Sequence, residues 1–396
     1  MKILFINTVY AKGSTGAIIR DTGKYLEANG HEYKVAVGRG DDGDEHVYRI
    51  GNDIDMHLHA LCSRITDRAG FYSKKETRKF LNFVRDYNPD IIHLHNLHGY
   101  YINLPILFNF LKTEFKGRVF WTLHDCWTMT GHCTHFTAVG CYKWKGLCSS
   151  CPQTRNFPKS YFLDSSSRNH KDKKSIMSGI PNVTVVAVSD WLKSVASESL
   201  LKGYYITRVY NGIDLNKFIH TESNILAEHG IKGKKVILSV ADGFDEQKGL
   251  PALLAVAKEA PADWQFLIIG IEKRYMNLLP NNVTGMERTS NQQELIKFYS
   301  AADVFYNPSL EETFGLVTAE AMACGTPAVV MNSTACPELI INEECGIVLD
   351  VNSSTKQVVN ALICAMEKTG ARKAAENFSV ENQCRGYYEL YTSVSK

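Results

Sequence analysis

The stretch from Asp303 to Met331 constrains the fold of this chain more tightly than any other. Asp303-Val-Phe-Tyr-Asn307 is a short apolar run of the kind buried as a parallel strand. A turn containing Gly315 follows, then a helical run that stops at Gly325, and Pro327-Ala-Val-Val-Met331 starts the next strand. Parallel strands need a helical crossover, so this unit places the chain among α/β proteins. At such a strand–turn–helix junction the first amides of the helix have no intrahelical partner, and they face the crevice at the strand's C-terminal edge together with the positive end of the helix dipole. That geometry binds phosphate. Two carboxylates bracket the turn, Glu312 in the loop and Glu320 in the helix, with seven residues between them. A lone pair of glutamates is ordinarily a solvated pair beside a capped helix; the surrounding string changes that reading.

Pro308-Ser-Leu-Glu-Glu-Thr-Phe-Gly-Leu-Val-Thr-Ala-Glu-Ala-Met-Ala-Cys-Gly-Thr-Pro327 resembles the signature of the retaining glycosyltransferases of family 4, over about twenty consecutive positions. Thr122-Leu-His-Asp125, Tyr210-Asn-Gly-Ile-Asp214 and Gln247-Lys-Gly-Leu250 follow the same family in order. The resemblance covers most of the chain and is weakest over 38–87 and 154–180. It implies the GT-B fold, α/β with two doubly wound Rossmann-like domains facing each other across a cleft. It also implies transfer of a hexose from a nucleotide diphosphate sugar to a hydroxyl acceptor, a saccharide or lipid-linked saccharide, without a catalytic metal. By this resemblance Glu312 contacts the donor sugar and Glu320 the ribose, and the amides of Phe314, Gly315 and Leu316 approach the diphosphate. His124, ending an apolar strand, contacts the hexose, and the turn of Gly13 and Gly16 lies near donor phosphate and acceptor.

The rest of the chain repeats the alternation of apolar runs and helical patterns. Strands are expected at Lys2–Thr8, Tyr33–Val37, Asp90–His95, Arg118–His124 and Val183–Ser189. Six more follow between Lys235 and Leu349, and the last helix runs over Val380–Ser393. The expected domains are 1–208, with a Cys-rich insertion at 126–152, and 209–376. Residues 377–396 are expected to form a helix returning to the first domain, as the resemblance implies. The absence of Gly-x-Gly-x-x-Gly argues against a dinucleotide dehydrogenase.

Lys248 lies in a loop opening a helix on the same sheet edge as the glutamates, where a cation neutralises a leaving diphosphate. The family often carries an arginine earlier in this loop. Here Asp242-Gly-Phe-Asp-Glu-Gln-Lys248 has acids instead, leaving Arg274 or Arg288 as the replacement. His93 and His95 read as structural, and Asn211-Gly212 as an interdomain turn. An Asp-x-Asp metal motif has no supporting frame at Asp42–Asp44 or Asp53–Asp55.

Cys133, Cys141, Cys148 and Cys151 are spaced C-x7-C-x6-C-x2-C in a segment with little aliphatic content. Four thiolates on one structural Zn²⁺ would hold such a segment together; reduced thiols and disulfides are the alternatives. His132 or His135 could replace a ligand.

Composition narrows the partners. The chain carries a formal charge of +2, with 22% charged residues, so there is no basic excess for a nucleic-acid backbone. No apolar run is long enough to span a bilayer, and the N-terminal strand reads as too short for a signal peptide. Scattered cysteines, odd in number, fit a reducing cytoplasm. The basic stretch Arg168–Lys174 is ordinarily a solvated face and could also lean on anionic lipid at the inner face of a membrane. Two readings of other classes remain, a nucleotide-sugar epimerase of the same fold and a non-catalytic nucleotide-binding protein. The sequence leaves base, sugar, acceptor and oligomeric state open.

Overall fold

The computed structural model describes residues 1–40 and 43–393. The Asp42–Asp44 turn therefore begins outside the described residues. The chain forms two compact units, Met1–Tyr210 with Gln383–Lys396, and Asn211–Asn382.

The first unit is built on seven parallel strands: β1 Lys2–Asn7, β2 Glu32–Val37, β3 Val47–Arg49, β4 Ile91–Leu94, β5 Arg118–Leu123, β6 Val183–Ala187 and β7 Tyr205–Arg208. Their order in the sheet is β3-β2-β1-β4-β5-β6-β7. The register runs Phe5 opposite Val35 on one side and His93 on the other. Ile3, Phe5, Val35, Ile91, Phe120 and Val186 form the buried core with Tyr387 and Tyr391 of the C-terminal helix Val380–Thr392. That helix is fastened by polar groups as well. Arg118 donates to the carbonyls of Leu390 and Tyr391 at 2.8 Å each, and Tyr391 Oη meets His93 Nδ1 at 2.5 Å. Continuous apolar runs suit strands covered on both faces.

The second unit has six parallel strands: β8 Lys235–Phe244, β9 Trp264–Ile271, β10 Val283–Met286, β11 Val304–Asn307, β12 Ala328–Met331 and β13 Gly346–Leu349, ordered β10-β9-β8-β11-β12-β13. Its core joins Ile237, Phe266, Ile268, Tyr306 and Val329 to Leu253, Val256 and Leu362 of the covering helices. Both sheets reverse direction of winding beside their first strand, between β1 and β4 and between β8 and β11. Such switch points open a crevice at the strands' C-terminal ends, where ligands bind in doubly wound folds.

Several elements were not anticipated. The edge strands β3 and β7 have three and four residues, too few to display an alternation. Helices Asp53–Thr66, Lys74–Tyr87 and Ser166–Met177 lie in the regions of weakest resemblance.

Candidate active site

At the second unit's switch point the turn after β11 is fixed by its own polar side chains. Ser309 N–H donates to Asn307 Oδ1 at 3.1 Å, and Asn307 Nδ2 reaches Thr318 Oγ1 at 3.0 Å on the following helix. Ser333 donates to Leu310 O at 2.7 Å and Thr334 accepts from Glu312 N–H at 2.9 Å, tying the turn to the loop after β12. Phe314 is buried edge-on against Phe378, with ring centroids 5.7 Å apart, so its side chain anchors the turn and only its backbone is available. Gly315 has φ +96°, a conformation L side chains rarely adopt, and it opens helix Leu316–Ala323.

Lys248 arrives from the loop after β8. Its Nζ donates to Glu312 Oε1 at 2.6 Å and to Glu311 O at 3.2 Å. Burial works against the ammonium, but the Glu312 carboxylate outweighs it and the Lys248 pKa is raised. The acids preceding Lys248 are occupied otherwise. Asp245 Oδ1 accepts the N–H groups of Gln247 and Lys248, and Asp242 faces Arg288 at 3.3 Å. Arg274 pairs with Glu272 at 2.9 Å.

Glu320 accepts from the Tyr299 hydroxyl at 2.9 Å. Burial pushes its carboxyl up to about 7, with the Tyr299 bond and Lys217 pulling the other way. A cavity of 630 Å³ spans the C-terminal ends of β8, β9 and β10, with Gly243, Ile271, Arg288, Asn291 and Val317, on the same helix as Glu320, among its walls. Lys248, Glu312, the 314–316 turn, Glu320 and this cavity all belong to the second unit.

His124 and Gly16 belong to the first. His124 follows β5, and its Nε2 meets His95 Nδ1 at 2.9 Å with the rings stacked at 15°. Burial lowers the His124 pKa to about 4, Asp125 opposing and His98 reinforcing, so the ring is neutral at pH 7. Asp125 in turn bonds His98 Nε2 at 2.6 Å. Gly16 is the fourth residue of helix Gly13–Ala28 after β1, where a Cβ would stand 3.0 Å from Ala11 N; close packing against the preceding turn explains this glycine. Tyr299 escaped the sequence reading because its partner Glu320 lies 21 residues away across the fold, whereas His95, read as structural, supports His124 from 29 residues away.

The structure does not show the four-thiolate zinc shell considered for Cys133, Cys141, Cys148 and Cys151. Among the described residues no group of three or more His, Cys, Asp or Glu side chains is arranged to hold a metal ion. Instead Cys133 and Cys151 share a hydrogen bond that raises the pKa of the first thiol and lowers that of the second, and Cys148 Sγ accepts from Gly131 N–H at 3.3 Å. All eleven cysteines are free, so no disulfide forms either. The segment is held by other groups. Lys173 is buried and its Nζ donates to Trp127 O at 2.6 Å and Thr130 O at 3.1 Å, while His132 bonds Asp67. Lys173 belongs to the basic stretch 168–174, which is therefore not a uniformly solvated face.

Two parallel α/β units, each with its crevice at the strand ends, define a GT-B protein. The chain belongs to glycosyltransferase family 4, whose model matches residues 15–217, and the group 1 glycosyl transferase model matches residues 222–381. It is 22% identical over its whole length to the whole of WcaC of Escherichia coli, named as a colanic acid biosynthesis glycosyl transferase. A D-inositol 3-phosphate glycosyltransferase of Saccharomonospora viridis is 27% identical, over 52% of this chain and 56% of that one. Among solved structures, sucrose-phosphate synthase from Thermosynechococcus elongatus superposes with a TM-score of 0.71 at 20% identity, covering 98% of each chain. Anabaena HepE, in complex with UDP and glucose, superposes with a TM-score of 0.67 at 16% identity over 100% of both chains.

Proposed function

We propose that this glycosyltransferase is a retaining enzyme that moves a hexose from a nucleotide diphosphate sugar to a hydroxyl of a saccharide or lipid-linked saccharide during polysaccharide assembly. The observation that carries the reading is the Lys248–Glu312 pair, 2.6 Å apart beside the glycine turn at the sheet's switch point. A cation and a helix N-terminus converging on one crevice suit a diphosphate, and they stabilise the charge it gains as the glycosidic bond breaks. Glu312 then orients the sugar, Glu320 accepts from the ribose hydroxyls, and the 630 Å³ cavity that reaches Val317 on the same helix is wide enough for a nucleobase. His124, neutral at pH 7, offers a ring nitrogen to the hexose.

On this reading the acceptor oxygen forms its bond to the anomeric carbon as the bond to the diphosphate breaks, on the same face. The departing phosphate oxygen takes the acceptor proton. Lys248 supplies positive charge at the leaving group, so transfer is expected to persist in chelator. The names of WcaC and of the HepE complex support a glycan acceptor and make UDP-hexoses the first donors to test.

The test is nucleotide release from a donor panel with and without saccharide acceptors, with the product anomer read by NMR. Release that needs acceptor and retains configuration supports the proposal. An inverted product overturns the retaining assignment, and donor binding without turnover on any acceptor favours a binding role.

A further inference from the structure

Helix Asp53–Thr66 presents its apolar side to water and its polar side to the protein. Ile54, Leu58, Leu61 and Ile65 recur at i, i+4, i+7 and i+11, which at 3.6 residues per turn confines them to an arc of about 60°. This arc faces solvent, with the four residues 42–72% exposed. The opposite arc, buried against the unit, is His59, Ala60 and Ser63.

The rolled-out orientation is fixed by a hydrogen-bond relay. Gly70 N–H donates to His59 Nε2 at 3.2 Å, so the proton of this neutral ring lies on Nδ1 and donates to Ser73 Oγ at 2.8 Å. Ser73 then donates to Asp55 Oδ2 at 2.6 Å. Turning the helix to bury its leucines would break all three bonds. Buried polar groups without partners are costly, so the outward face is a built feature.

The apolar surface continues onto a neighbouring loop. Tyr161 N–H donates to Arg64 O at 2.8 Å, which seats Tyr161, Phe162 and Leu163 beside the end of the helix; Phe162 is 77% exposed. Next to Leu163 opens a cavity of 610 Å³. Arg68, Lys74, Arg78 and Arg168 stand in its wall, and no Asp or Glu lines it. Close by, Asp172 is shared between Arg68 at 2.6 Å and Arg168 at 3.8 Å, and Asp67 Oδ2 accepts from the Ser165 N–H of the wall at 2.8 Å.

An exposed apolar patch of two segments marks an interaction surface, and its chemistry selects the partner. An apolar protein surface would bring no negative charge to this wall, where Asp172 alone is shared by two of the four cations. A bilayer with anionic headgroups satisfies both halves, since acyl chains receive the leucines and aromatic rings while phosphates meet the cations. We propose that the outward face of helix Asp53–Thr66 and the Tyr161–Leu163 loop dock this protein peripherally on an anionic lipid bilayer, with a lipid phosphate in the Arg68–Arg168 cavity. No helix among the described residues is long and apolar enough to cross a membrane, so the contact lies in the plane of the surface. This inference stands apart from the transfer reaction, because none of its residues belongs to the site assigned above.

The test is flotation of the full chain with vesicles of phosphatidylcholine alone and of phosphatidylcholine with about 30 mol% phosphatidylglycerol. The wild-type chain is expected to float with the anionic vesicles and to be partly released by salt. Leu58→Ser with Phe162→Ser should lower partitioning about tenfold or more, given the area of two apolar side chains. Lys74→Glu with Arg78→Glu should remove the preference for anionic vesicles. Melting temperature and donor binding checked in each variant identify misfolding; should a pair unfold, the single Phe162→Ser change, at the most exposed position, carries the test. Unchanged flotation of folded variants overturns the proposal. So does wild-type protein that ignores both vesicles, including a chain that dimerises through this face by light scattering and becomes monomeric in the Leu58→Ser, Phe162→Ser variant.

Discussion

Lys248 Nζ and Glu312 Oε1 lie 2.6 Å apart although 64 residues separate them in the chain. Each comes from a loop on one side of the β8–β11 switch point, so the sheet topology itself makes the pair. The side chains are only 29% and 17% exposed, which keeps the charges in a poorly solvated place where each acts strongly on neighbouring charges.

Replacing Lys248 by alanine is expected to slow sugar transfer about 10²-fold or more, the scale of losing one donor to transition-state charge. The loss should be the same for every donor with the same diphosphate, whatever its sugar, when initial rates are compared. A loss confined to one sugar would move Lys248 away from the leaving group.

If Glu320 accepts from the ribose as proposed, donor binding is expected to depend on pH. Its folded pKa of about 7 lies above the ordinary carboxyl value of 4.5, so between these limits the folded chain holds a proton that the unfolded chain has released. The contribution of this group to stability therefore falls as pH rises from about 4.5 to about 7, and Glu320→Gln should remove that slope from thermal melts. Because the ionised form accepts ribose hydroxyls best, donor KM should fall as pH rises through 7. The Tyr299 hydroxyl lowers this pKa, so Tyr299→Phe should shift the KM profile to higher pH.

His95 holds His124 at 2.9 Å and stacks on it. His95→Ala should leave nucleotide binding intact and lower kcat about tenfold, because a loosened His124 positions the hexose less well. A calorimetric loss of UDP binding in this variant would mean that the change spreads beyond the histidine pair.

Lys173→Met should lower stability by about 1–3 kcal/mol, because the buried carbonyls of Trp127 and Thr130 lose their donor. Hydrogen exchange should rise first in segment 126–152, with the second unit unchanged.

Much of this was legible in the chain. The run 303–331 carries strand, turn, glycine and helix at their final positions, because a parallel strand buried on both faces writes itself as a continuous apolar run. Glu312, Gly315, Lys248 and Glu320 could be picked out as residues of one sheet edge for the same reason. Conversely, β3 and β7 were hidden, since an edge strand of three or four half-exposed residues has no period to read. Helix Asp53–Thr66 was not anticipated either: its apolar residues Ile54, Leu58, Leu61 and Ile65 face water and its buried side is His59, Ala60 and Ser63, so the usual apolar-inside pattern does not mark it.

Local sequence therefore determined the type of most long elements, helices Asp53–Thr66, Lys74–Tyr87 and Ser166–Met177 excepted, and the chemical groups at the strand ends, because backbone preference and burial act over a few residues. Tertiary structure alone decided which groups meet. It paired Lys248 with Glu312, Tyr299 with Glu320 and His95 with His124, gave the acids near Lys248 other partners, and joined the thiols of Cys133 and Cys151 without closing a metal shell around them. Hydrogen bonds and charge interactions depend on angstroms of separation in space, and separation along the chain does not encode them.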